Sequence, residues 1–256
     1  LAAWLDVGAA FVSATAEHPE AESRASAAFL RVLNEGGDAA GVVARAVGLE
    51  DVRLAALGRL ERTSSSSEER WACRIVRTHI QLSGTPSRDA LAELSARSER
   101  AWELLDQLDA DRLGAALMRL GVEVSPREAI IDIGLDATAL SQSWSAHAAW
   151  LARRAGAMED PGLACALWTR SAAALLEAGQ EEHAVRALRT ALATGFEARE
   201  PVDLLAAIFG GRGEWEALAA ELGPPDLERL WHEQPSPGLG RVLASRMRAS
   251  DARSRV

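Results

Sequence analysis

Apolar residues recur along this chain at spacings of three and four, in runs divided by short polar breaks. Between Ala166 and Ala178, Trp168, Ala172, Leu175 and Leu176 fall on one stripe, and Ala184, Val185, Leu188, Ala191 and Leu192 form another. That period predicts amphipathic helices. The breaks carry helix-start signals. Ser125-Pro126-Arg127-Glu128 sets a capping Ser, a Pro at the first helical position and a Glu at the third, which joins a capping box to the N-terminal preference of proline. Thr85-Pro86 and Asp160-Pro161 repeat the cap-then-proline device. Ile130-Ile131-Asp132-Ile133 is the one candidate strand, but the capping box before it predicts helix. The stretch Thr63 to Ser67 reads as a flexible connection, with Ser66 placed to cap a helix carrying Glu69 and Trp71.

Read in order, the breaks predict an opening helix over 1–16 and then seven helix pairs. These lie over 21–47, 50–83, 86–121, 126–157, 161–194, 200–222 and 225–250. The pairs average about 34–36 residues, the size of a helix–turn–helix repeat unit. The expected fold is therefore all-α, in two parts: an N-terminal helical domain over 1–121, and repeats with a C-terminal capping helix over 122–256.

Composition strengthens the helical reading. Ala and Leu dominate, while only four Phe and no Tyr are present; strand-forming residues are scarce and strong helix formers abundant. All 28 basic residues are Arg, and Asn34 is the only Asn. That bias is read as the mark of a GC-rich, bacterial genome, not as selection for Arg contacts. The net charge of −9 argues against a nucleic-acid binder, which needs a basic surface. No run reaches the roughly 18 apolar residues of a membrane span, and no signal-peptide pattern is present, so a cytoplasmic setting is expected. Starting at Leu1 and not Met, the chain is read as a processed or excised segment.

Catalytic constellations are missing. His18, His79, His147, His183 and His232 are scattered, with no second His three or four residues on, so no helical metal pair is expected. Cys73 and Cys165 stand alone and read as small hydrophobes. Without Lys, Schiff-base and Walker-type phosphate chemistry are ruled out. Gly210-Gly211-Arg212-Gly213 has no preceding strand and reads as a turn, and Asp132 with Asp136, like Glu177 with Glu181, reads as a solvated face. No enzyme activity, no cofactor and no metal are expected. Eight Trp are spread about one per helix or hairpin, which suits wedge-filling between helices. Trp144 and Trp150 are six apart and cannot share a stripe, so one of them is expected to be an exposed anchor.

The sharpest signal lies between Cys165 and Leu222. Gly179 and Gly213 are 34 residues apart; with Cys165 as a first position, Trp168 is the fourth, and Ala184 and Ala191 take the two small positions of a second helix. Gly213-Glu214-Trp215, with Leu218 and Leu222 behind it, opens a partial further unit. This stretch resembles tetratricopeptide repeats. A weaker unit over Arg127 to Asp160 keeps Ala148 and Ala155 seven apart but has no Gly at its Gln142-Ser143 turn. Upstream, degenerate repeats and a helical domain of another lineage both remain open.

The resemblance implies a right-handed α–α superhelix whose groove is lined by the first helix of each pair. Carried over, Ala166, Thr169, Ala173, Leu176 and Glu177 face it, with Asp203 and Ala207 in the next unit. The Lys and Asn of the family's carboxylate clamp are replaced by Ala and Thr, so the expected occupant is an apolar or helical peptide, or the chain's own terminal helix. The implied function is a non-catalytic protein–protein interaction scaffold. The alternative is a regulatory or sensor domain holding a small apolar ligand in a Trp-lined cavity, and a catalytic helical protein is the third reading. Arg241, Arg246, Arg248, Arg253 and Arg255 make a local basic patch, read as a solvated terminal helix.

Overall fold

The computed structural model describes residues 1–15, 18 and 20–253, and among them every regular element is helical. Two compact units divide the chain, Leu1–Gln142 and Ser143–Val256. The first contains α1 (Ala2–Ser13), α2 (Glu20–Asn34), α3 (Ala39–Arg45), α4 (Glu50–Thr63), α5 (Ser67–Ser83), α6 (Arg88–Leu104), α7 (Ala110–Arg119) and α8 (Pro126–Leu140), with a 3-10 turn after α6. The second contains α9 (Trp144–Gly156), α10 (Pro161–Glu177), α11 (Glu181–Ala193), α12 (Arg199–Arg212), α13 (Trp215–Glu221), α14 (Pro224–Glu233) and α15 (Pro237–Arg253). After α1, each expected pair resolves into two helices. Residue 16 of the expected opening helix, and Arg255 of the basic patch, lie outside the described residues.

Local chemistry sets the starts. The Ser125 hydroxyl accepts from the Glu128 N–H and the Glu128 carboxylate accepts from the Ser125 N–H, closing the capping box. Asp160 caps α10 by accepting from Gly162 and Leu163. At α6 the expectation fails: Ser87, not Thr85, is the cap, accepting from Ala90. The serine tract is tied down and not loose. Ser66 caps α5, Ser64 donates to Glu69 at 2.5 Å, and Ser66 and Ser67 both donate to Glu68.

Four ends share one geometry. Gly36, Gly121, Gly179 and Gly213 take φ values of 84°, 83°, 69° and 72°. In each case the following N–H reaches back five residues, as Gln180 does to Leu175 and Glu214 to Phe209. This is the Schellman ending, for which glycine is suited because it lacks a Cβ. Gln142 adopts the same left-handed conformation without being glycine, at φ 53°. Arg side chains also reach helix ends from outside the helix. Arg59 donates to Leu33 O at the end of α2, Arg53 to Val43 O in α3, Arg70 to Ser64 O after α4, and Arg246 to Ala219 O and Leu222 O at the end of α13. Each donates to a carbonyl at or beyond the last turn, where a helix supplies few partners of its own.

In the first unit α1 lies on α2, α3 on α4 and α4 on α5, whereas α6 packs chiefly on α8 and α7 on α5. The division between the two compact units falls at Gln142/Ser143. Its cause is α8, whose Ile130, Ile131 and Ile133 are all buried and whose neighbours are α5 and α6.

The second unit is more regular. α10 packs between α9 and α11. Antiparallel register is fixed by Ser171, late in α10, donating to Ala148 O at 2.8 Å, and by Gln180 donating to Ser145 at 3.1 Å. Ala172, Ala184 and Ala191 are fully buried and leave room for close helix approach. The core continues through Leu188, Leu205, Leu218, Leu227 and Leu230. α15 closes the unit on α13 and α14.

Candidate functional site

The residues expected to line a groove divide in two. Ala166, Ala173, Glu177 and Ala207 are exposed. Thr169 is buried and donates to Cys165 O at 2.8 Å, so it faces the core and not a groove. Leu176 is half-buried and packs on the core cluster. The open face of α10 is instead Leu163, Ala166, Arg170, Ala173 and Glu177, alternating by three and four. Leu163 on that face is 57% exposed. The two faces share Ala166, Ala173 and Glu177, and the open one is turned by about 50°, half of one residue's step, toward Leu163 and Arg170.

Asp203 is occupied otherwise than expected. It accepts from Arg199 at 3.0 Å along α12 and from Arg229 at 2.9 Å on α14; Glu233 accepts from the same two arginines at 2.8 and 3.1 Å. The four side chains form a closed ring of alternating charge that joins α12 to α14. Burial opposes protonation of Arg229, and Asp203 and then Glu233 more than offset it, so its pKa is raised. The other Arg229 terminal nitrogen, Nη2, is buried and has no hydrogen-bond partner among the described residues. Each half of the ring is an i, i+4 pair of opposite charge, a spacing that was readable in the sequence.

Beside this ring lies a cleft of about 540 Å³ within the second unit. Leu192, Phe196, Val202, Leu222 and Pro225 give it apolar walls, and Glu197, Arg199, Glu221, Asp226 and Arg229 its polar rim. Phe196, in the loop before α12, is 50% exposed and its ring lies over Gly162 at the start of α10. An aromatic in a polar connecting loop was the only sequence signal for this cleft.

Of the two Trp offered as anchors, Trp150 is fully buried under Arg153, which stacks 4.2 Å from its ring. It is a core residue and not an anchor. Trp144 is half-buried, with His147 edge-on at 6.0 Å. Trp215 and Trp231 are seated on glycines, Trp215 against Gly210 and Gly238 and Trp231 against Gly240. The cavity beside Trp71 measures about 10 Å³ and the one beside Cys73 about 50 Å³, room for water but not for a larger ligand.

Burial pushes the Cys73 thiol up to about 11, with Glu61 and Glu69 adding to the shift. It is an unreactive core thiol. The Asp136 carboxyl is raised first by burial, against the pull of His79 and with a further push from Asp132. Among the described residues no group of three His, Cys, Asp or Glu is placed to hold a metal, and no helix is long and apolar enough to cross a membrane. In the basic patch Arg246 is a helix cap and not a solvated charge.

Compared with known proteins, the chain matches no family model, no curated sequence and no solved structure.

Proposed function

We propose that this chain is a non-catalytic interaction scaffold that binds a peptide or helix of another protein along the first helices of its C-terminal pairs. The observation that carries the reading is the open face of α10. This helix is packed on both flanks by α9 and α11, yet it presents Leu163, Ala166 and Ala173 to solvent. Small side chains there let another backbone approach closely, and an exposed Leu supplies apolar area. Ala207 continues the character on α12. A tetratricopeptide-like ancestry for residues 165–222 belongs to the same proposal. Its support is the shared ending at Gly179 and Gly213, 34 residues apart, with identical backbone hydrogen bonding. A cytoplasmic setting belongs to it as well.

The test is affinity capture with the full chain, repeated with Ala173→Arg and with Ala207→Arg. Both sites are exposed, so the fold is kept, as circular dichroism will check. Loss of a captured protein from either variant supports the groove. Capture unchanged in both removes the groove from these faces, and no specific capture at all removes the scaffold reading.

A further inference from the structure

The cleft of the second unit has a charge balance that selects its ligand. Arg199 and Arg229 on its rim are neutralised by Asp203 and Glu233 in the closed ring. Glu221 is neutralised by Arg189. Two rim carboxylates remain, Glu197 and Asp226, which make no ion pair among the described residues. Helix N-termini attract anions, and α12 and α14 both begin at this cleft. Their first turns already carry Glu200 and Asp226, which answer the dipoles. An anionic ligand would therefore meet two engaged arginines, the acid that already answers the α14 dipole, and Glu197.

We infer that this cleft is a receptor for a basic peptide segment carrying a large apolar side chain. The inference rests on the scaffold reading and adds to it a second binding place and a ligand class. Apolar walls from Leu192, Val202, Leu222 and Pro225 take the hydrophobic side chain. Glu197 and Asp226 take the cation through charge-assisted hydrogen bonds. The half-exposed ring of Phe196 offers a face on which a guanidinium can stack. A volume of about 540 Å³ lies within the range that peptide side chains and small ligands fill. The chain's net charge of −9 favours approach of a cationic partner over long range.

The test uses fluorescein-labelled peptides of equal length, alternating Arg with Leu, Gln with Leu, or Glu with Leu, titrated against the full chain by anisotropy. The Arg–Leu peptide is expected to bind, and the Glu–Leu peptide not to. Glu197→Arg and, separately, Phe196→Ser are expected to weaken binding at least about tenfold, while Glu103→Arg, the same charge reversal at an exposed position of α6 in the first unit, leaves it unchanged. Glu197 and Phe196 sit in an exposed loop, and melting curves will verify that both variants fold. No binding, or equal binding of all three peptides, overturns the ligand class. Binding that survives Glu197→Arg and Phe196→Ser but fails in Ala173→Arg overturns the cleft and leaves the scaffold reading standing. A concentration-dependent dimer lost in Glu197→Arg makes a second copy of the chain the occupant and overturns the peptide.

Discussion

Gly238 on α15 lies directly against the indole of Trp215 on α13, so that a Cβ at this position would overlap the five-membered ring. Gly210 on α12 meets the same indole, where a Cβ would come within 2.9 Å of its six-membered ring. One aromatic thus joins three helices through two positions without side chains. Helix propensity alone predicts a gain of about 1 kcal/mol for Gly→Ala in a helix. Packing reverses the sign: Gly238→Ala is expected to destabilise by about 1–3 kcal/mol, the usual cost of overfilling a core. Urea denaturation decides between the two, and a raised midpoint would refute the seating of Trp215.

Gln142 holds a left-handed conformation that costs a non-glycine residue roughly 1–2 kcal/mol. Gln142→Gly is therefore expected to stabilise by about 1 kcal/mol, after allowing for the extra entropy of glycine in the unfolded chain. Gly179→Ala, at the corresponding turn one pair later, is expected to lose about the same amount. Thermal unfolding of the two variants should move in opposite directions.

The ring of four charges predicts coupling between helices. Asp203→Asn leaves Arg229 with Glu233 alone and is expected to cost about 1 kcal/mol, because all four groups keep some solvent access. A double-mutant cycle of Asp203→Asn with Arg229→Gln should give a coupling energy of about 0.5 kcal/mol or more. Additive effects would mean that the two residues act separately.

Glu68 and Glu69 make stability depend on acid. Ser66, the Glu68 backbone amide and Ser67 hold the Glu68 carboxyl at about 2, down from its ordinary value of 4.5; Ser64 and then Arg119 lower that of Glu69. A carboxyl depressed in the folded state binds its proton more readily when unfolded, so the stability it contributes is complete above 4.5. It is lost as pH falls through the folded value. Between pH 4.5 and 2 the melting temperature is expected to fall more steeply in the native chain than in Glu68→Gln/Glu69→Gln. Parallel curves would remove these two groups as its cause.

Helix positions were legible because their ends are chemically marked. A Ser or Asp oxygen begins about half of them, and glycine ends those that turn left-handed, Gln142 excepted. The exposed face of α10 was legible in Ala166, Ala173 and Glu177 but not in Thr169 and Leu176, because a register taken from a resemblance does not fix how far the helix turns toward α9 and α11. Thr169 illustrates the difficulty. Its hydroxyl is satisfied by its own helix at Cys165 O, which lets a polar residue enter the core at little cost. Trp144 and Trp150 were legible only as a pair: their spacing predicts that one is the more exposed, and packing of α9 on α10 leaves Trp150 fully buried and Trp144 half-buried. The boundary at Gln142 did leave a trace. Three isoleucines within four residues cannot all sit on one narrow stripe, and a helix apolar on so much of its surface needs neighbours on more than one side.

The arginine clasps have a consequence for how the chain is made. Arg53, Arg59, Arg70 and Arg246 each lie downstream of the carbonyls they close, by as much as 27 residues for Arg246 and Ala219. A chain synthesised from its N-terminus therefore finishes each of these helices only after a later one has emerged. A nascent chain halted before Arg246 holds α13 by its packing on α12 alone, with the Ala219 and Leu222 carbonyls still waiting for their arginine.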